Sequence, residues 1–114
     1  MDDEFLPITD EGETFITWND YCKAEVSKSS DARWLLQTCF PSKSPMSAMY
    51  GSYIEALVAA LGCCSGMPDQ VMLDMDTQEE LDLSECSDKA DIVMAITDVD
   101  FETLQSVKGA DQLK

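Results

Sequence analysis

Residues 17–26 read "TWNDYCKAEV", and the period assigned to them decides the fold. At a spacing of three and four, Trp18, Tyr21, Cys22 and Val26 share one face of a helix. Thr17 then stands at the N-cap, with Asp20 three residues on as a variant of the capping box. On this reading a second short helix follows Ser30, with Ala32, Leu35, Leu36, Cys39 and Phe40 inward and Pro41 as its stop.

The longest apolar pattern comes next. Ser44 is placed to cap and Pro45 suits a first helical position. Met46, Met49, Tyr50, Tyr53, Ile54, Leu57, Val58 and Leu61 continue as one stripe. Ala56, Ala59 and Ala60 cover much of the other side, and Gly62 or Gly66 ends the run before Pro68. Residues 44–61 are therefore predicted as the central helix of the core.

Beyond Pro68 the patterns shorten. In "QVMLDMD", Val71, Leu73 and Met75 alternate with Asp74 and Asp76, as in a half-buried strand. "DIVMAIT" fits a second strand or a buried helical turn. A helix capped by Thr77, with Glu80 completing its box, would align Leu83, Cys86, Ala90 and Val93. It would also set Asp82, Glu85 and Asp88 in a row with a rise of ~4.5 Å per step. Asp98 or Thr97 caps a last helix with Phe101, Leu104 and Val107 inward, Lys108 in its final turn and Gly109 as its stop. The predicted class is mainly α: a small helical domain around residues 44–61, with a short two-stranded β element near residues 70–76 and 91–97. An α+β arrangement is the second choice.

Length and composition give one domain, residues 1–114. An apolar content of 45% is too high for a disordered acidic segment. Against 23 acids the chain sets 7 bases and no histidine, a formal charge of −16. That charge is segregated. An acidic N-terminal arm, residues 1–13, holds six acids and no base. A neutral core read as helical, residues 14–68, balances four acids with four bases. The acidic C-terminal half, residues 69–114, has thirteen acids against three bases, a balance of −10. Such a field excludes a direct grip on nucleic acid or an anionic membrane, both of which require clustered Lys and Arg.

The five cysteines, Cys22, Cys39, Cys63, Cys64 and Cys86, form no CxxC pair and are odd in number. They read as free thiols packed as small hydrophobes, and no metal or cofactor is expected. The N-terminus "MDDEFLPITDEGE" is acidic where a secretory leader is basic and then apolar, which predicts a reducing, cytoplasmic setting. No Ser-His or Cys-His nucleophile system exists without histidine, and neither phosphate-binding glycine motif is present. Cys63 and Cys64 have no basic neighbour in sequence to activate them. The chain is expected not to be an enzyme.

Calcium is a remote alternative. Asp74, Asp76, Gln78, Glu80, Asp82 and Glu85 fall on the ligand positions of a loop that resembles an EF-hand, but Glu79 stands where the turn requires glycine.

The acids then read as a protein-binding face formed by Asp74, Asp76, Glu79, Glu80, Asp82, Glu85, Asp88 and Asp91, with Asp98, Asp100 and Glu102. The expected partner is a protein with a Lys/Arg-rich surface, of the kind that binds nucleic acid. The chain would act as a DNA mimic or inhibitor, since a duplex carries one charge per ~3.4 Å along each strand. Small acidic phage-type proteins resemble it in size and composition, not in motif. The alternative is an assembly or adaptor subunit, a virion or complex component, docking through the Met- and Tyr-bearing middle.

Overall fold

A computed structural model describes residues 14–18, 22–29, 33–41, 44–64, 66–74 and 77–113. The acidic arm, residues 1–13, lies outside them.

Residues 17–18 and 22–26 belong to a hairpin and not to a helix, while Asp20 and Tyr21 lie outside the described residues. Strand β1 (Thr14–Trp18) pairs antiparallel with β2 (Cys22–Lys28), from Trp18 opposite Cys22 to Thr14 opposite Val26. Thr14, Ile16 and Trp18 are buried on one strand and Cys22, Ala24 and Val26 on the other, a period of two throughout. The four-residue step from Trp18 to Cys22, which imitates a helical turn, is a cross-strand pair.

The proposed second helix is likewise a strand, β3 (Trp34–Cys39), paired with β2 and turning Leu36 and Thr38 inward. The proposed central helix is two elements. Met46–Tyr50 form strand β4, and helix α1 starts only at Tyr53 and runs to Gly62. Gly51 and Ser52 separate them, and the Ser52 hydroxyl accepts from the Glu55 backbone N–H at 3.3 Å, an N-cap placed eight residues after Ser44. Leu57 and Leu61 are 0% exposed, in the middle of the core as the apolar pattern requires.

Past α1 the chain forms β5 (Gln70–Asp74) and β6 (Glu79–Glu80), a 3₁₀ turn at Leu83–Glu85, helices α2 (Lys89–Thr97) and α3 (Phe101–Gln105), and a last 3₁₀ turn at Ala110–Leu113. The six described strands make one antiparallel sheet in the order β4-β3-β2-β1-β5-β6. Four strands wind as a meander, and α1 carries the chain back across β2 and β3 so that β5 adds on the far side of β1. Ile16, Ala24, Val26, Leu36 and Val71 of the sheet share a core with Leu57, Leu61, Ile92, Val93, Leu104 and Leu113. The protein is thus a sheet-rich α+β fold, not a mainly helical one.

Two finer expectations also change. A strand does form at 70–74, but residues 91–97 are helical within α2. Asp98 is the left-handed C-cap of α2 at φ 60°, Asp100 caps α3, and Phe101 points outward at 57% exposure.

The two sheet edges differ. Strand β4, "MSAMY", has no charge, and Met46 and Met49 are 55% and 40% exposed. At the other edge β6 consists of two exposed glutamates, and Gln70 Nε2 donates to Glu80 at 2.9 Å.

Candidate functional site

The described carboxylates of the predicted face fall into three groups. Asp74, Glu79 and Glu80 lie on the β5–β6 hairpin, where Asp74 faces Glu79. Asp76 lies outside the described residues. The helical row of Asp82, Glu85 and Asp88 is absent. Thr77 and Gln78 turn the hairpin with Gln78 at φ 59°, a strand follows, and only one 3₁₀ turn precedes α2. The same hairpin replaces the helix–loop–helix that an EF-hand would need. Asp98 closes the C-terminal end of α2, ~15 Å along the axis from Asp88, and Asp100 and Glu102 follow at the start of α3.

The middle group does converge. Asp82, Glu85 and Asp91 line a groove of ≈ 440 Å³ with Leu81, Cys86, Met94 and Ala95. Burial pushes the Cys86 thiol up, and Asp91, Asp82, Glu85 and Asp88 raise it further, so all four carboxylates act on one sulfur. These acids also have local structural work. Asp82 accepts from the Ser84 N–H at 3.0 Å and Asp88 from the Asp91 N–H at 3.0 Å. Asp91 accepts from the Ser87 hydroxyl at 2.6 Å and its N–H at 2.8 Å. Hydrogen bonds from Ser84, Ser87 and Thr103 hold Asp82, Asp91 and Asp100 below the usual carboxylate value. Capping and solvation explain part of the acid; they also keep it ionised.

The single base between Asp74 and Asp91 is Lys89, and it is turned inward. At 6% exposure its ammonium donates to the carbonyl of Cys64. No base stands in the last turn of α1, so this lysine, the first residue of α2, supplies a cation near the negative end of that helix. Desolvation lowers its pKa, while the nearby thiols act the other way. The surface of that stretch is left to its carboxylates.

Lys89 also adjoins a thiol cluster that spacing along the chain does not reveal. Cys22 opens β2, Cys63 is the C-cap of α1, and Cys64 follows it. Their Sγ atoms all lie within 4.8 Å of one another, with Cys22 and Cys63 3.9 Å apart. Cys22 and Cys64 are buried and Cys63 is half-buried; all five cysteines are free. Burial and neighbouring sulfurs push Cys22 up, and burial first, then Cys64, raises Cys63 to about 11. The Cys63 thiol donates to the Ala60 carbonyl at 2.9 Å, and Trp18 Nε1 donates to the Gly66 carbonyl at 3.3 Å, fixing this corner of the fold. A basic neighbour for the Cys63–Cys64 pair is thus present, supplied from 25 residues away.

No described helix is long and apolar enough to cross a membrane. Comparisons with protein-family models, with curated proteins and with solved structures find no match to this chain.

Proposed function

We propose that this chain is a small, non-enzymatic binding module that presents Asp82, Glu85, Asp88 and Asp91 to a Lys/Arg-lined protein surface of the kind that handles nucleic acid. The observation that carries this reading is the inward turn of Lys89, which removes the only base of the stretch from its surface. The groove beside Met94 and Ala95 gives a long basic side chain an apolar wall for its stem and carboxylates for its head. Without a helical row, the regular charge spacing of a duplex has no counterpart among the described residues. Recognition rests on local clusters, with Asp74, Glu79 and Glu80 before the groove acids in the chain and Asp98, Asp100 and Glu102 after them.

A second reading has its own observation: the uncharged, exposed strand β4 with Met46 and Met49, which suits an adaptor that docks by strand addition. One experiment separates the two. A Lys/Arg-rich nucleic-acid-binding domain is titrated with the protein at rising salt. Steeply falling affinity is expected, and Asp82→Lys, Glu85→Lys and Asp88→Lys together should slow association about tenfold or more with the circular dichroism unchanged. Binding that survives both, yet is lost in Met46→Asp with Met49→Asp, would replace the first reading with the second.

A further inference from the structure

We propose that Cys22, Cys63 and Cys64 bind a single Cu(I) ion as three thiolates. The three side chains come from the start of a strand, the cap of a helix and the residue after it, so regular structure positions the donors. Thiolate sulfur lies ~2.3 Å from a d¹⁰ ion such as zinc, so three sulfurs arranged trigonally around an ion at that distance stand ~4.0 Å apart. Cys22 and Cys63 are already at 3.9 Å, and the full set lies within 4.8 Å. Small turns about the side-chain bonds close the remaining difference.

Three features separate this corner from ordinary packing of thiols. The sulfurs converge on one point, although Cys22 and Cys63 are 41 residues apart. A buried cation, Lys89, lies within electrostatic reach of all three sulfurs, where it offsets charge that a metal–thiolate centre would carry. The cluster also has the donor set of a soft metal: among the described residues it contains three sulfurs and no carboxylate. Zinc in structural sites takes four ligands, whereas Cu(I) is satisfied by three sulfurs, and the count therefore favours copper. Binding breaks three S–H bonds, forms three Cu–S bonds and releases three protons to the buffer. Copper enters and stays as Cu(I), so no electron is transferred. This site is independent of the acidic groove and of any protein partner.

The test uses the reduced, full chain under anaerobic conditions, titrated with Cu(I) against a chromophoric Cu(I) chelator. Saturation at one equivalent is expected, with three sulfur neighbours by X-ray absorption. The variant with Cys39→Ser and Cys86→Ser should bind as the parent does. Cys63→Ser, at the half-buried position, should lose affinity by more than the ~10–100-fold typical of removing a group that only supports a ligand. Its fold is checked by circular dichroism, and the absorption spectrum of the unmutated chain provides a readout that needs no variant. Failure of the parent to compete better than Cys63→Ser, fewer than three sulfur neighbours, or uptake of Zn(II) with refusal of Cu(I) overturns the proposal.

Discussion

Replacing Leu57 by alanine tests the architecture, because the sheet and the all-helical arrangement disagree about which residues share its environment. Leu57 is 0% exposed on α1, which packs against β2 and β3 and also against α2 and the final 3₁₀ turn. Deleting three carbons forfeits ~2.4 kcal/mol of transfer free energy at ~0.8 kcal/mol per methylene. Elements on both sides limit collapse, so a cavity term brings the total to ~3–4 kcal/mol, within the range of buried leucines. Unfolding entropy of ~2.1 cal/mol/K per residue then gives a Tm drop of ~12–17 °C. Met46→Ala is the matched control. In a helix over residues 44–61 both residues would lie on one buried stripe and cost comparable amounts. On β4, with Met46 55% exposed, the loss should stay within ~0.5 kcal/mol. Urea unfolding with a shared m-value measures both. Comparable losses, or a Leu57→Ala cost under ~1 kcal/mol, would refute the sheet arrangement around α1.

Stability should peak in mild acid. Asp82, Asp91 and Asp100 have folded pKa values below the ordinary 3.8, so their contribution is present above that value and lost as pH falls through the folded ones. Between pH 7 and the isoelectric point near 4.1, relief of self-repulsion from a charge of −16 works in the opposite direction. Urea midpoints at stepped pH should therefore rise and then fall, and replacing the three aspartates by alanine should flatten the acid limb; an unaltered limb contradicts the assignment. Gly109→Ala should cost ~1–2 kcal/mol, because φ is +88° while the added methyl meets Val58 only at an ordinary 3.8 Å. Gly51→Ala, without that backbone constraint, should cost less in the same melts.

The charge balance of each segment was legible because counting ionised groups along the chain requires no fold; the inward turn of Lys89 was not, since most lysines stay at the surface and only the packing of α2 against the end of α1 buries this one. The strands were harder to read. Trp18 and Cys22 satisfy a helical spacing while being hairpin partners. On β3 the inward position after Leu36 is Thr38, buried at 6% but polar, so hydrophobicity alone misses the alternation. Strand β4 is exposed or half-buried along its length and leaves no apolar period to find. A signal for the true start of α1 was present in Ser52 and Glu55, the two ends of a capping box directly after Gly51. The thiol cluster had no local sign: its members come together only when α1 is laid over β2, and Lys89 arrives from a later helix. Spacing rules for metal ligands register neighbours in sequence, whereas this site is made by tertiary packing.

The unlike edges of the sheet have a consequence for polymerisation. Continuous growth of cross-strand assemblies requires every added subunit to offer a fresh edge. Among the described residues, an incoming strand finds an open ladder at β4, but at β6 it meets a two-residue strand of glutamates, too short and too charged to template another. Pairing of two copies through β4 would bury both open edges and leave glutamates at either end, so the symmetry closes at a dimer. On this geometry, growth by strand addition would stop at β6, and pairing at β4 would join no more than two copies.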